Sequence, residues 1–141
     1  MGTGILHEEL SLLKQLADNL SAHMTIEQEI YYPAVKAIDD ELVNESFEEH
    51  SLAEIGLKRL LATAKSDEAF DARVTAVKEL IEHHVEEEEE DLFPKVDRKM
   101  DEAELEELGA KMKGRFDEAL AAGFSENVPK GLDRTSADEA R

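Results

Sequence analysis

One pattern of histidine, glutamate, aromatic residue and proline occurs twice in this chain, at residues 23–33 and 84–94. In each copy a glutamate follows the histidine by four residues, and an aromatic residue and a proline follow by nine and ten. Residues four apart lie on the same face of an α-helix. Each copy therefore predicts a helix that presents a histidine and a carboxylate side by side, and the repetition argues against chance.

Apolar residues recur at steps of three and four along most of the chain, which indicates amphipathic helices. The pattern predicts four helices, over residues 3–38, 44 or 46 to 64, 67–97 and 101–122, and Asp101 with Glu104 forms a capping box for the last. Pro33 is expected to kink or end the first helix locally, because it cannot donate a backbone hydrogen bond. We predict an all-α, up-down helical bundle as one domain, residues 1–125, followed by a flexible tail, residues 126–141.

The composition narrows the kinds of ligand and partner. The chain contains no cysteine, so any metal would be held by imidazole and carboxylate groups. Its formal net charge of -19 argues against nucleic acid or an anionic membrane as a partner, because both favour basic surfaces. No apolar stretch is long enough to predict a transmembrane helix, and the first residues do not resemble a signal peptide, so we expect a cytoplasmic protein.

We interpret three histidine–glutamate pairs with a spacing of four residues as candidate metal ligands. The candidates are His23, Glu27, His50, Glu54, His84 and Glu88. In a bundle, such pairs can project from facing helices into one space and hold two metal ions. A surface ion pair is the alternative for any single pair. Tyr31, Tyr32 and Phe93 are interpreted as core packing, and His83 as a surface or supporting residue.

The two motifs, their Tyr-Pro and Phe-Pro endings and the intervening Glu49-His50 resemble the hemerythrin-like (HHE cation-binding) domains over about residues 10–122. The resemblance implies a four-helix bundle with a non-haem di-iron centre. By position it implies that Glu27 and Glu88 are bridging carboxylates, that the three histidines are ligands, and that Glu54 is a weaker candidate. Iron is the implied metal, with zinc or another divalent ion as the alternative.

The chain departs from the family pattern at its beginning. The family has a separate first helix with its own histidine, whereas the residues before His23 continue the helix of His23. His7 cannot replace that histidine, because sixteen residues span about 24 Å along one helix. The fourth wall could come from residues 101–122 (with Glu104, Glu107 or Asp117), from a second copy of the chain, or be absent. We favour a homodimer, because three helices would leave an apolar groove uncovered.

Two functions follow from this interpretation. The favoured one is an iron protein that binds O2, reacts with peroxide or nitric oxide, or senses or stores iron. The alternative is a helical scaffold or self-association module with a degenerate or single-metal site. The sequence leaves catalysis open and favours a metal- and oxygen-binding protein over an enzyme for organic substrates. Ferritin-like iron oxidation is disfavoured, because in that family's motif glutamate leads histidine by three residues.

Overall fold

The computed structural model describes residues 3–128, with side chains from residue 11 onward, and this part of the chain contains helices and turns but no strand. The α-helices are α1 (Thr3–Ile26), α2 (Tyr32–Val35), α3 (Asp40–Leu61), α4 (Phe70–Glu87), α5 (Phe93–Lys99), α6 (Glu102–Ala122) and α7 (Phe124–Asn127). Two π-helical segments, Glu27–Tyr31 and Glu88–Leu92, join α1 to α2 and α4 to α5. The predicted all-α bundle is confirmed.

The helix ends follow the capping residues. The predicted capping box at Asp101 and Glu104 is present, with both reciprocal hydrogen bonds. Helix α3 begins at residue 40, earlier than predicted, because the Asp39 carboxylate accepts a hydrogen bond from the Leu42 N–H at 3.0 Å. Lys95 also contacts that carboxylate, at 2.6 Å. Helix α4 begins at residue 70, later than predicted, after a turn in which Asp67 accepts from the Ala69 N–H.

Each proline of the repeated motif is the second residue after a π-helical segment. The Tyr32 N–H donates to the Glu27 carbonyl, and the Phe93 N–H donates to the Glu88 carbonyl, so one extra residue enters each turn. Proline lacks an N–H, and its ring clashes with the carbonyl four residues earlier in a regular α-helix. The wider turn relieves that clash. The helix therefore passes Pro33 as α2 and ends at Val35, shortly after the proline at which a kink or an end was predicted.

Helix α6 forms the fourth wall of the bundle within the same chain. It packs against α1, where the ring of Phe116 lies 4.9 Å from that of His23. Arg115 binds Glu29 at 2.7 Å. The uncovered groove that motivated the predicted homodimer is thus filled by residues 102–122 of the chain itself.

The end of the described chain docks on α1. The Phe124 N–H donates to Asp18 Oδ1 at 2.8 Å, the Asn127 side chain donates to Ser21 Oγ, and Val128 is buried. The tail predicted from residue 126 therefore includes two residues, Asn127 and Val128, that pack on the bundle. The rest of it, residues 129–141, lies outside the described residues, as does the side chain of His7.

Two apolar clusters fill the bundle at different heights. One contains Tyr32, Val43 and Leu92 among its buried residues, and the other contains Ala17, Leu57 and Val77. At the second cluster α3 and α4 approach closely, since a methyl group added at Gly56 would lie 2.9 Å from Val77 Cγ2. Glu27, His84 and Glu88 of the repeated motif lie between the two clusters along their helices. No described helix is long and apolar enough to cross a membrane.

Candidate metal centre

Three of the candidate ligands meet in the layer between the apolar clusters. Glu27 opens the first π-helical segment, His50 lies in the middle of α3, and His84 lies near the end of α4. One ligand atom from each lies within 4.8 Å of the others. Their closest approach is 2.9 Å, between the Nε2 atoms of His50 and His84, and Glu27 Oε1 lies 3.4 Å from His50 Nε2.

Glu88 completes the acidic side of this layer. Its Oε1 lies 3.1 Å from His84 Nε2, and the side chain is buried. Glu88 opens the second π-helical segment as Glu27 opens the first. The two glutamates therefore occupy equivalent positions on two neighbouring helices, as the repeated motif suggests.

Tyr32 also belongs to the cluster, which its interpretation as core packing missed. The fully buried hydroxyl donates to Glu88 Oε2 at 3.0 Å and lies 3.2 Å from the Nε2 atoms of both His50 and His84. The extra residue in the π-helical turn brings Tyr32 round toward the face of Glu27. A proline directly after an aromatic residue is the sequence signal that could have indicated this shift.

In both clustered histidines, Nδ1, the ring nitrogen that faces away from the cluster, has its own hydrogen-bond partner. His84 Nδ1 donates to Glu49 Oε1 at 2.8 Å. This hydrogen bond fixes the orientation of the imidazole ring with Nε2 directed at the cluster. His50 Nδ1 lies 2.8 Å from the Gln28 amide nitrogen, which also donates to Glu54 at 3.2 Å. Glu49 and Gln28 were not predicted as site residues. Their position one residue from a candidate ligand is the only hint in the sequence.

Burial and proximity separate the protonation states of the two glutamates. Burial raises the pKa of Glu27 well above its usual range, and the neighbouring Glu88 raises it further. Burial also acts to raise the pKa of Glu88, but hydrogen bonds from His84 and Glu27 outweigh it and lower that pKa to about 2. The opposite directions of these two shifts favour Glu27 over Glu88 as the carrier of any proton that the pair holds.

The pKa values of His50 and His84 are shifted in opposite directions. Burial lowers the pKa of His50 to about 3, with a further contribution from the charge of His84, so His50 is a neutral imidazole. Burial acts to lower the pKa of His84 as well, but the hydrogen bond and charge of Glu88, and then those of Glu49, raise it. The raised pKa values of Glu27 and His84 favour protonation of these two groups over Glu88 and His50.

The remaining candidates lie outside this group of close ligand atoms. His23 is exposed, with its ring against Phe116, although it lines the same cavity one helical turn from Glu27. Glu54 is buried and interacts with Gln28, so it contacts the cluster indirectly. Of the alternatives on the C-terminal helix, Glu104, Glu107 and Asp117 are all exposed.

A cavity of about 490 Å³ adjoins the cluster. Glu27, His50, His84 and Glu88 lie at its polar end, and its walls are mostly apolar. The apolar side chains include Leu20, Met24, Leu80, Ile81, Val85 and Met112, which come from α1, α4 and α6. The cavity can hold a small molecule next to the candidate ligands.

Residues 3–96 match the hemerythrin HHE cation-binding domain family. The chain therefore belongs to that family, which defines it as a cation-binding helical bundle. A crystal structure of an HHE domain protein from Mycobacterium kansasii, a homologue of Rv2633c, aligns with a TM-score of 0.73 and 31% identity, over 95% of this chain and 82% of that one.

Two curated relatives are the uncharacterized proteins Rv2633c of Mycobacterium tuberculosis and Mb2666c of Mycobacterium bovis. Each is 30% identical to this chain over 108 residues, which is 76% of this chain and 66% of the relative. The matched region thus spans just under two thirds of the length of these relatives. The family match, the fold and the histidine–glutamate cluster together support metal binding.

Proposed function

We propose that this protein is a non-haem iron protein of hemerythrin type, with a two-metal site formed by Glu27, His50, His84 and Glu88. The observation that supports this most directly is the orientation of His84. Glu49 holds its Nδ1 at 2.8 Å, so its Nε2 is directed at the centre of the cluster. A carboxylate behind a histidine is the usual support of a metal-binding imidazole.

The donor set fits iron. It combines imidazole nitrogen and carboxylate oxygen, which suit iron, and also zinc or another divalent ion. Metal ions would replace any protons on Glu27 and His84 as the charges that offset the buried carboxylates. Glu27 and Glu88 sit at equivalent positions on facing helices and are the proposed bridging ligands.

The cavity favours a small ligand over an organic substrate. When bound, a di-iron centre supplies an open coordination position for a diatomic molecule or peroxide. The apolar walls formed by residues such as Leu80 and Ile81 exclude water, and the Tyr32 hydroxyl can donate a hydrogen bond at the polar end. We propose binding of O2, or reaction with peroxide or nitric oxide, or iron sensing or storage.

The position of His23 supports a second candidate, a single-metal or degenerate site in a helical scaffold. Its ring packs on Phe116, away from the group of close ligand atoms. A second metal ion would need further ligands, and His23 is the nearest unused imidazole on the cavity wall. In the two-metal proposal this ring leaves Phe116 when metal binds. In the single-metal alternative it stays.

Iron loading of matched variants distinguishes these candidates. The protein is reconstituted with ferrous iron without oxygen, desalted and assayed for iron by mass spectrometry, and its absorption spectrum is recorded after exposure to air. We expect about two irons per chain in the wild type. His50→Ala should lose most of the iron, and His23→Ala about half.

Glu86→Gln provides the control, because it removes an exposed carboxylate from α4 outside the cluster. Its iron content should equal that of the wild type. One iron per chain that is insensitive to His23→Ala would favour the single-metal site. No retained iron, together with a melting temperature unaffected by exhaustive chelation, would reject both metal proposals.

A further inference from the structure

A second cluster of ligand-type side chains lies beside the buried one and is reached from solvent. Glu49, His83 and Glu87 each place one ligand atom within 4.8 Å of the others. The His83 side chain is 61% exposed, whereas those of Glu87 and Glu49 are 27% and 16% exposed. Glu49 joins the two clusters, because its Oε1 accepts from His84 and its Oε2 faces His83.

An ordinary ion pair does not satisfy all the hydrogen-bonding groups of this outer cluster. His83 Nε2 lies 3.0 Å from Glu87 Oε1 and 3.6 Å from Glu49 Oε2. One N–H can serve only one of these carboxylates with good geometry. The other oxygen of Glu87, Oε2, is buried and has no hydrogen-bond partner among the described residues. A buried carboxylate oxygen without a partner is unfavourable.

A divalent cation would satisfy these groups together. In place of the single N–H, it could accept the His83 Nε2 lone pair and one oxygen from each glutamate, which is the ligand chemistry of many zinc and ferrous sites. It would also offset the proximity of the two carboxylates. The exposure of His83 leaves a position open to solvent, so an ion could enter and leave without unfolding of the bundle.

The surrounding surface would attract cations. A surface groove of about 580 Å³ adjoins Glu49 along α3, and most of its lining residues are acidic. They are Asp40, Glu41, Asn44, Glu45, Glu48, Glu49 and Leu52. Clefts lined with charge of one sign raise the local concentration of the opposite ion.

We propose that Glu49, His83 and Glu87 form a second, solvent-facing site for a divalent cation of the zinc and ferrous class. This outer site is distinct from the buried site. The two are linked only through Glu49, which also accepts a hydrogen bond from His84. The outer site does not depend on the proposed iron function, because none of its three side chains belongs to the proposed inner ligand set.

Zinc titration of the full chain tests this proposal. Protein stripped with chelator is titrated with Zn²⁺ by calorimetry, in a His50→Ala background that disables the inner site. We expect one remaining class of sites, weakened at least about tenfold by Glu87→Gln or His83→Ala. Glu86→Gln, one residue from Glu87 and exposed, is the matched control and should bind as the background does.

Nitrogen NMR of the histidine rings gives an independent measurement in the same background. Added Zn²⁺ should shift His83 Nε2 in the background protein, and the same Zn²⁺ concentration should shift it less in Glu87→Gln. Circular dichroism confirms that each variant is folded. Isotherms of Glu87→Gln and His83→Ala that superimpose on the background, or a His83 resonance unaffected by Zn²⁺, would overturn the outer site. Those outcomes would leave the inner iron site untouched.

Discussion

The hydroxyl of Tyr32 should contribute measurably to the stability of the metal-free protein. Tyr32→Phe removes that oxygen and keeps the ring, whose centroid lies 5.3 Å from those of Phe47 and His50. The lost contacts are the 3.0 Å hydrogen bond to Glu88 and two 3.2 Å contacts to histidine nitrogens. Because the packing of the ring is retained, the change isolates the polar contribution.

The expected loss follows from the charge of the acceptor. A hydrogen bond to an ionised group contributes about 1.5–3 kcal/mol. We expect the lower half of that range, because Glu88 Oε1 keeps His84 at 3.1 Å. For a chain of this size, a loss of about 1.5–2 kcal/mol lowers the melting temperature by roughly 5 °C. Calorimetry and urea denaturation of the chelator-treated protein measure both quantities.

Tyr31→Phe is the matched control, because Tyr31 is also buried and its ring packs on Phe93. It makes the same chemical change one residue away from the clustered hydroxyl. If Tyr32→Phe and Tyr31→Phe are equally stable in the absence of metal, the hydroxyl of Tyr32 does not stabilise the cluster and the reasoning fails.

Three further predictions concern packing, capping and protonation. Gly109→Ala should raise the free energy of unfolding by about 1 kcal/mol, because Gly109 is an exposed residue of α6 with open space for a methyl group. Gly56→Ala should give no gain, or a loss of about 1 kcal/mol, because its methyl group would clash with α4. Urea titrations measure both changes. Asp39→Ala should cost about 1 kcal/mol at pH 7. Lys95 and the Leu42 N–H lower the pKa of Asp39 below its usual 3.8, so the stabilisation by the Asp39 carboxylate is present above pH 3.8. As the pH falls through the lowered pKa, the melting temperatures of Asp39→Ala and wild type should converge. Metal binding should release any protons held by Glu27 and His84, because both groups have raised pKa values. The Zn²⁺ affinity measured by calorimetry should therefore fall as the pH decreases. An affinity independent of pH would contradict this protonation of Glu27 and His84.

The bundle could be predicted from the sequence because helical periodicity is a local property. Steps of three and four residues fix which side chains share a face, and that was sufficient to place Glu27, His84 and Glu88 toward the interior. The fourth wall was harder to predict. Apolar residues in 101–122 indicate an amphipathic helix, but periodicity does not say whether that helix packs on its own chain or on a second copy.

The sequence by itself predicted the helices, most of their inward faces and the chemical class of the candidate ligands, because the histidine–glutamate spacing and the absence of cysteine depend on chain order alone. Only the tertiary structure decided that Tyr32 enters the cluster and that His23 turns toward Phe116. The π-helical turns add a residue where a regular helix is assumed, which rotates every later side chain. Contacts between helices, such as that of Glu49 with both His83 and His84, depend on packing distances that no spacing within one helix contains.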